Sequence, residues 1–206
     1  MNSSTLESDL VYVRDLAEAG RTAPLLGGRF LTWWGGLATL AYTLHFLIIT
    51  EQFGLHPAAL GWMWMSFGII GVAGYIALVR TMSGDKPGMS SVSNQVEYQL
   101  WKICSLVLAV YFLALMLKAM SGQGVLGFAY SLPVVFAVYA VGLFGSGKIA
   151  KNRILQRASF LALFIVALAV WFQATYFIWA VAALGAFLTA FLPGLVLLRD
   201  EPKSVV

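Results

Sequence analysis

Gly142-Leu143-Phe144-Gly145-Ser146-Gly147-Lys148 has the Gly-x4-Gly-Lys spacing of a phosphate-binding loop. That chemistry needs a strand before the loop, a helix after it, and a Ser or Thr following the Lys to reach magnesium. Ile149 follows Lys148 here, and the preceding residues form an apolar run long enough to cross a membrane. The glycines therefore read as the end of a span, and nucleotide binding is not expected.

His45 is the next residue whose type could do chemistry. On a helix it shares a face with Trp34, Ala38 and Ala41, and Tyr42 lies close by. Trp34, Ala38, Tyr42 and His45 are thus the candidate ligand contacts. His45 lies 16 residues past Arg29, about 24 Å along the axis, near the far interface, where a neutral imidazole costs little. Thr32, Gly36, Thr39 and Thr43 fall on the opposite side of the same helix. Small and hydroxylated residues let membrane helices approach and hydrogen-bond, so this stripe is expected to pack against a neighbour. Ala182, Ala186 and Ala190 make a similar small-xxx-small run, while Gly68, Gly71 and Gly74 punctuate another span.

Glu51 and His56 share one short loop, but two ligands make an incomplete metal site. With His45 and His56 as the only histidines, a bis-His haem site would need His56 drawn inward past Pro57. Cys104, the single cysteine, excludes an intrachain disulfide and a cysteine-built metal cluster. The chain carries no triad of nucleophile, base and orienting group. No catalytic residue, metal or cofactor is expected. No Asp, Glu, Arg or Asn is expected inside a span, which speaks against ion- or proton-coupled transport.

The elements that must position these residues follow from composition. Of 206 residues 60% are hydrophobic and 11% charged, with a mean hydropathy of +0.84. A soluble domain carries roughly 25% charged residues, so there is too little polar material for a water-facing surface. The apolar blocks are long enough to cross about 30 Å of hydrocarbon as helices. The fold expected is all-α: a polytopic integral membrane protein with six transmembrane helices and a short N-terminal amphipathic cytoplasmic helix.

The predicted spans run over about 30–50, 60–79, 98–120, 125–144, 158–173 and 176–198. Trp33 and Trp34 near the start of the first span, and Trp62 and Trp64 near that of the second, suit interfacial anchors. Asn94 with Glu97 three residues later suits a helix cap, and Pro133 predicts a kink in the fourth span. Residues 1–29 contain the capping box Ser4-Thr5-Leu6-Glu7 and then Leu6, Leu10, Val13 and Ala17 at helical spacing. Without a small-residue cleavage pattern, a removable signal peptide is not expected. Residues 199–206 form a cytoplasmic tail.

Lys148, Lys151, Arg153 and Arg157 determine the topology. They put four cations and no acid between two apolar runs, a pattern that stays on the cytoplasmic side. Counting outward places both termini on the cytoplasmic side of a bacterial-type inner membrane, with Lys118 the single one of 13 cations on the other side. The net charge of +4 belongs to these loops and not to a nucleic-acid surface. The chain is therefore expected to meet the lipid bilayer and no nucleic acid, with a cytoplasmic protein or a second copy as candidate partners. The function expected is a non-enzymatic passive conduit or binding chamber for a small neutral or hydrophobic molecule. The alternative is a membrane anchor or regulatory subunit that recruits a cytoplasmic partner through the N-terminal helix and the basic loop.

Overall fold

The structure is a computed structural model that describes residues 11, 25–52, 54–81, 89, 91–124, 126–173 and 175–201. The expected N-terminal amphipathic helix falls outside them apart from Val11, which is helical and exposed. Among the described residues every regular element is a helix. They are α1 (Gly28–Ile49), α2 (Ala59–Thr81), α3 (Val92–Met120), a single turn α4 (Leu126–Ala129), α5 (Ser131–Ile149) and α6 (Arg153–Trp171). The last helical rod comprises α7 (Phe177–Ala186), a π-helical turn (Phe187–Phe191) and α8 (Leu192–Arg199).

Five of these rods are long and apolar enough to cross a membrane: Ala59–Thr81, Val92–Met120, Leu132–Ile149, Arg153–Trp171 and Phe177–Arg199. The protein is a membrane-embedded helical bundle. The sixth rod, α1, has 22 residues and so about 33 Å of length, but threonines, glycines, tryptophans and His45 dilute its apolarity.

Packing rather than hydropathy explains α1. It lies at the centre, against α2 on one side and against α7, the π turn and α8 on the other. α5 and α6 make the most extensive pairing, α6 joins them to α7, and α3 packs only on α5 among its major neighbours. α2 and α3 thus flank a core of four rods, and few of their residues are buried. In a bilayer, lipid covers such faces at no cost.

The α1–α8 seam is built on glycine. A Cβ at Gly28 would stand 2.7 Å from the backbone nitrogen of Leu198, and one at Gly194 would stand 2.7 Å from Thr32 Oγ1. A Cβ at Gly35 would press into the backbone of Ala190 and Phe191. Ala182, Ala186 and Ala190 are all buried along the same rod.

Several expectations need correction. The threonine stripe packs over only half its length: Thr32 meets Gly194 and Gly36 meets the Phe191 ring, but Thr43 is exposed. The hydroxyls of Thr32, Thr39 and Thr43 donate to the carbonyls of Gly28, Gly35 and Thr39 on their own helix, not across it. Trp33 and Trp34 lie over Gly74 and Gly71 of α2, and Trp33 Nε1–H donates to the Gly71 carbonyl at 3.2 Å. Only Trp62 of the expected outer anchors is exposed, since Trp64 turns inward.

Prolines account for the irregular turns. Pro133 sits at the third residue of α5, where its missing N–H would be unpaired anyway. Its ring cannot follow an unbroken helix through Ala129, and the chain breaks at Tyr130 instead of kinking within the span. Pro193 likewise removes the N–H that the Thr189 carbonyl would accept, and the helix widens to π just before it.

α3 starts six residues before the predicted 98, capped by Ser91, whose Oγ accepts from Asn94 N–H at 3.3 Å. Asn94 and Glu97 are therefore inside the helix and buried, contrary to the expectation of no carboxylate or amide within a span. At 29 residues α3 is about 44 Å long, so its first turns reach past the hydrocarbon into the interface.

Candidate functional site

Two polar-aromatic clusters lie at opposite ends of the bundle. The first contains part of the expected ligand set. His45 is buried, and its Nδ1 accepts from Trp64 Nε1–H at 3.0 Å, which leaves Nε2 to carry the proton of the neutral ring. One face of the imidazole stacks on Trp179 at 3.4 Å between centroids. Trp64 lies edge-on with its ring centroid 5.9 Å from that of His45, and Tyr42 closes the group with its ring 5.6 Å from Trp64 and 6.1 Å from Trp179.

α1, α2 and α7 each supply a wall, so only the tertiary fold assembles this box. Ala38 packs at its margin, whereas Trp34 turns to Phe67 and Gly71, outside it. Sequence reading missed Trp64 and Trp179 as partners of His45. The signal was weak: a tryptophan near a span end usually marks the interface.

The second cluster forms at the end that carries the basic loop. Leu25 and Leu26, just ahead of α1, are both buried. The Leu26 backbone N–H donates to Asn94 Oδ1 at 2.9 Å, and Asn94 Nδ2 donates to Ser91 Oγ at 3.1 Å. Glu97, 5% exposed, fits against Gly27: a Cβ there would stand 2.9 Å from Glu97 Oε1. Ser146 is the polar neighbour of that carboxylate, and its Oγ accepts from Trp101 Nε1–H at 3.0 Å. Its own proton is thereby left to donate to the Glu97 carboxylate.

Arg29 and Glu201 complete the group with a 2.6 Å ion pair, most of both side chains being buried. The pair ties the start of α1 to the chain just beyond α8. One end of the bundle thus gathers the starts of α1 and α3, the end of α5 and the chain after α8. Within a low-dielectric setting such bonds rigidify what they join, although Arg29 Nε is buried there without a hydrogen-bond partner among the described residues.

The Gly-rich motif belongs to this end. Residues 142–148 lie within α5, so their backbone N–H groups serve the helix and cannot cradle a phosphate. Each glycine has a packing reason. Gly142 receives the Trp101 ring, Gly145 the Leu100 side chain, and Gly147 the backbone of Asn152 and Gln156.

The turn after α5 is closed by Asn152 N–H donating to the Gly147 carbonyl at 2.8 Å, with Lys151 in the left-handed region at φ 51°. This is a Schellman-type stop. Asn152 Oδ1 then caps α6 by accepting from Ile154 and Leu155 N–H. Lys148, Lys151, Arg153 and Arg157 are all exposed around this turn. Deeper in, Ser159 Oγ donates to the Ala140 carbonyl at 3.0 Å, a buried bond across the α5–α6 pair.

Among the described residues no group of three or more His, Cys, Asp or Glu could hold a metal ion. Comparison with protein-family models, with curated proteins and with solved structures found no match to this chain.

Proposed function

We propose that the protein is a non-enzymatic membrane anchor or regulatory subunit. In this reading it sits in a bacterial-type inner membrane with both termini in the cytoplasm. It recruits a cytoplasmic protein through the N-terminal segment and the basic loop. The observation that carries this reading is the fastening of residues 25–29. Two buried leucines, the Leu26–Asn94 hydrogen bond and the Arg29–Glu201 ion pair bind the exit of the N-terminal segment to α3 and to the chain after α8. A segment held this way transmits force or position between a bound partner and the bundle, whereas a loosely tethered tail does not. The four exposed cations of the turn after α5 lie at the same end.

The conduit or binding-chamber reading rests on the Tyr42–His45–Trp64–Trp179 box. It is supported less, because Trp179 already occupies one face of His45 and Trp64 occupies its Nδ1. A ligand would have to displace both.

The test uses the full chain in detergent for partner capture and in proteoliposomes for solute-driven swelling. Leu10→Asp with Val13→Asp should abolish capture of a cytoplasmic partner and leave swelling at the protein-free baseline. Swelling above baseline that Trp179→Ala raises and Ala38→Trp blocks would overturn the anchor reading in favour of the chamber.

A further inference from the structure

A groove of about 310 Å³ runs between α3 and α5, lined by Leu100, Ile103, Cys104, Val107, Val138 and Val141. Its lining is almost wholly apolar. The Cys104 thiol is turned to the Val138 carbonyl at 3.9 Å, so it presents no free polar group to the groove. The volume lies at the lower end of the roughly 300–1,000 Å³ of small-ligand sites. A groove on the outer face of a bundle opens to lipid, not to water.

Its charge pattern is one-sided. On α5, Val141 lines the groove, and Phe144 and Lys148 follow it at spacings of three and four residues on the outward side of the same helix, where the Phe144 ring also meets Phe160 of α6 at 6.1 Å between centroids. Val141 is 63% and Phe144 40% exposed, and Lys148 Nζ rests 5.2 Å above the Phe144 ring. An apolar strip therefore leads from one cation into the groove. On α3 the facing wall is Leu100, Ile103, Cys104 and Val107. Lys102, two residues before Cys104, projects from the opposite side of that helix, about 160° round from the thiol. Lys148 stands 7 to 11 residues along α5 from Val141 and Ala137, or about 10–16 Å. Half of a hydrocarbon core is about 15 Å. The spacing thus sets an anionic headgroup at Lys148 and its acyl chain in the groove.

We propose that this groove binds one acyl chain of an anionic phospholipid whose phosphate pairs with Lys148. The proposal needs only that the bundle lies in a membrane, and it stands apart from the anchor reading. Native mass spectrometry of the full chain, delipidated and re-exposed to phosphatidylglycerol or phosphatidylcholine, tests it. The wild type should keep one phosphatidylglycerol per chain about fivefold better than phosphatidylcholine, the weight of a single interfacial cation. Lys148→Gln should bring the two lipids level. Val141→Trp, at an exposed position that leaves the core intact, should abolish retention of both. Equal retention of the two lipids by the wild type, or a Val141→Trp chain that retains phosphatidylglycerol normally, would overturn the site.

Discussion

Gly35→Ala should destabilise the bundle although it adds a single methyl group to a good helix position. The new Cβ would lie 2.8 Å from the Ala190 carbonyl carbon and closer still to the Phe191 nitrogen. Ordinary Cβ contacts begin near 3.4 Å, so α1 and the π turn must separate by about 0.6 Å or more along this seam. Both obstructing groups are backbone, and neither can rotate away. A radial gap of roughly 0.5–1 Å forfeits a quarter to a half of each atom-pair attraction of about 0.1–0.2 kcal/mol. Over some tens of atom pairs along the seam that amounts to about 1–3 kcal/mol, in the range of measured overpacking costs.

Gly68→Ala supplies the control. Nothing lies within 4 Å of a Cβ there, so only the gain in helix propensity remains, about 0.5–1 kcal/mol in favour of the folded state. Steric-trap unfolding in micelles should place the two variants on opposite sides of the wild type. Equal effects, or a stabilised Gly35→Ala, would refute the close approach of α1 to the π turn.

Three further outcomes follow from the same geometry. Asn94→Ala leaves the buried Leu26 N–H without its acceptor and should cost about 1–3 kcal/mol, with proteolysis ahead of Gly28 accelerated in the folded protein. Glu201→Gln breaks the buried pair with Arg29 and should cost about 3–5 kcal/mol by the same unfolding assay, while Glu51→Gln at an exposed loop position should change it little. Trp64→Phe removes the donor to His45 Nδ1; the imidazole nitrogen shifts in labelled protein should move from a single Nε2–H tautomer to a mixture, and unchanged shifts would contradict the hydrogen bond.

Five of the six expected membrane rods, and their order, were legible in the sequence, because an apolar run of about twenty residues has few other stable states. The gathering of Lys148, Lys151, Arg153 and Arg157 at one end was legible too, since they sit between two such runs. The small-residue run Ala182-x3-Ala186-x3-Ala190 pointed to a buried face, and those three residues are buried.

What the sequence could not supply was the partner of each face. A threonine serves equally as an interhelical donor or as a bond back to its own helix, and only the neighbour's position decides. Gly35 and Gly28 look no different in sequence from Gly68, yet the first two meet backbone and the last meets open space. Asn94 and Glu97 read as a helix cap because local hydropathy cannot see that α3 begins six residues before the expected span. Their burial depends on Gly27 and Leu26, some 70 residues away in the chain. His45 met Trp64 and Trp179 for the same reason: α1, α2 and α7 converge there, and convergence is a property of packing, not of pattern.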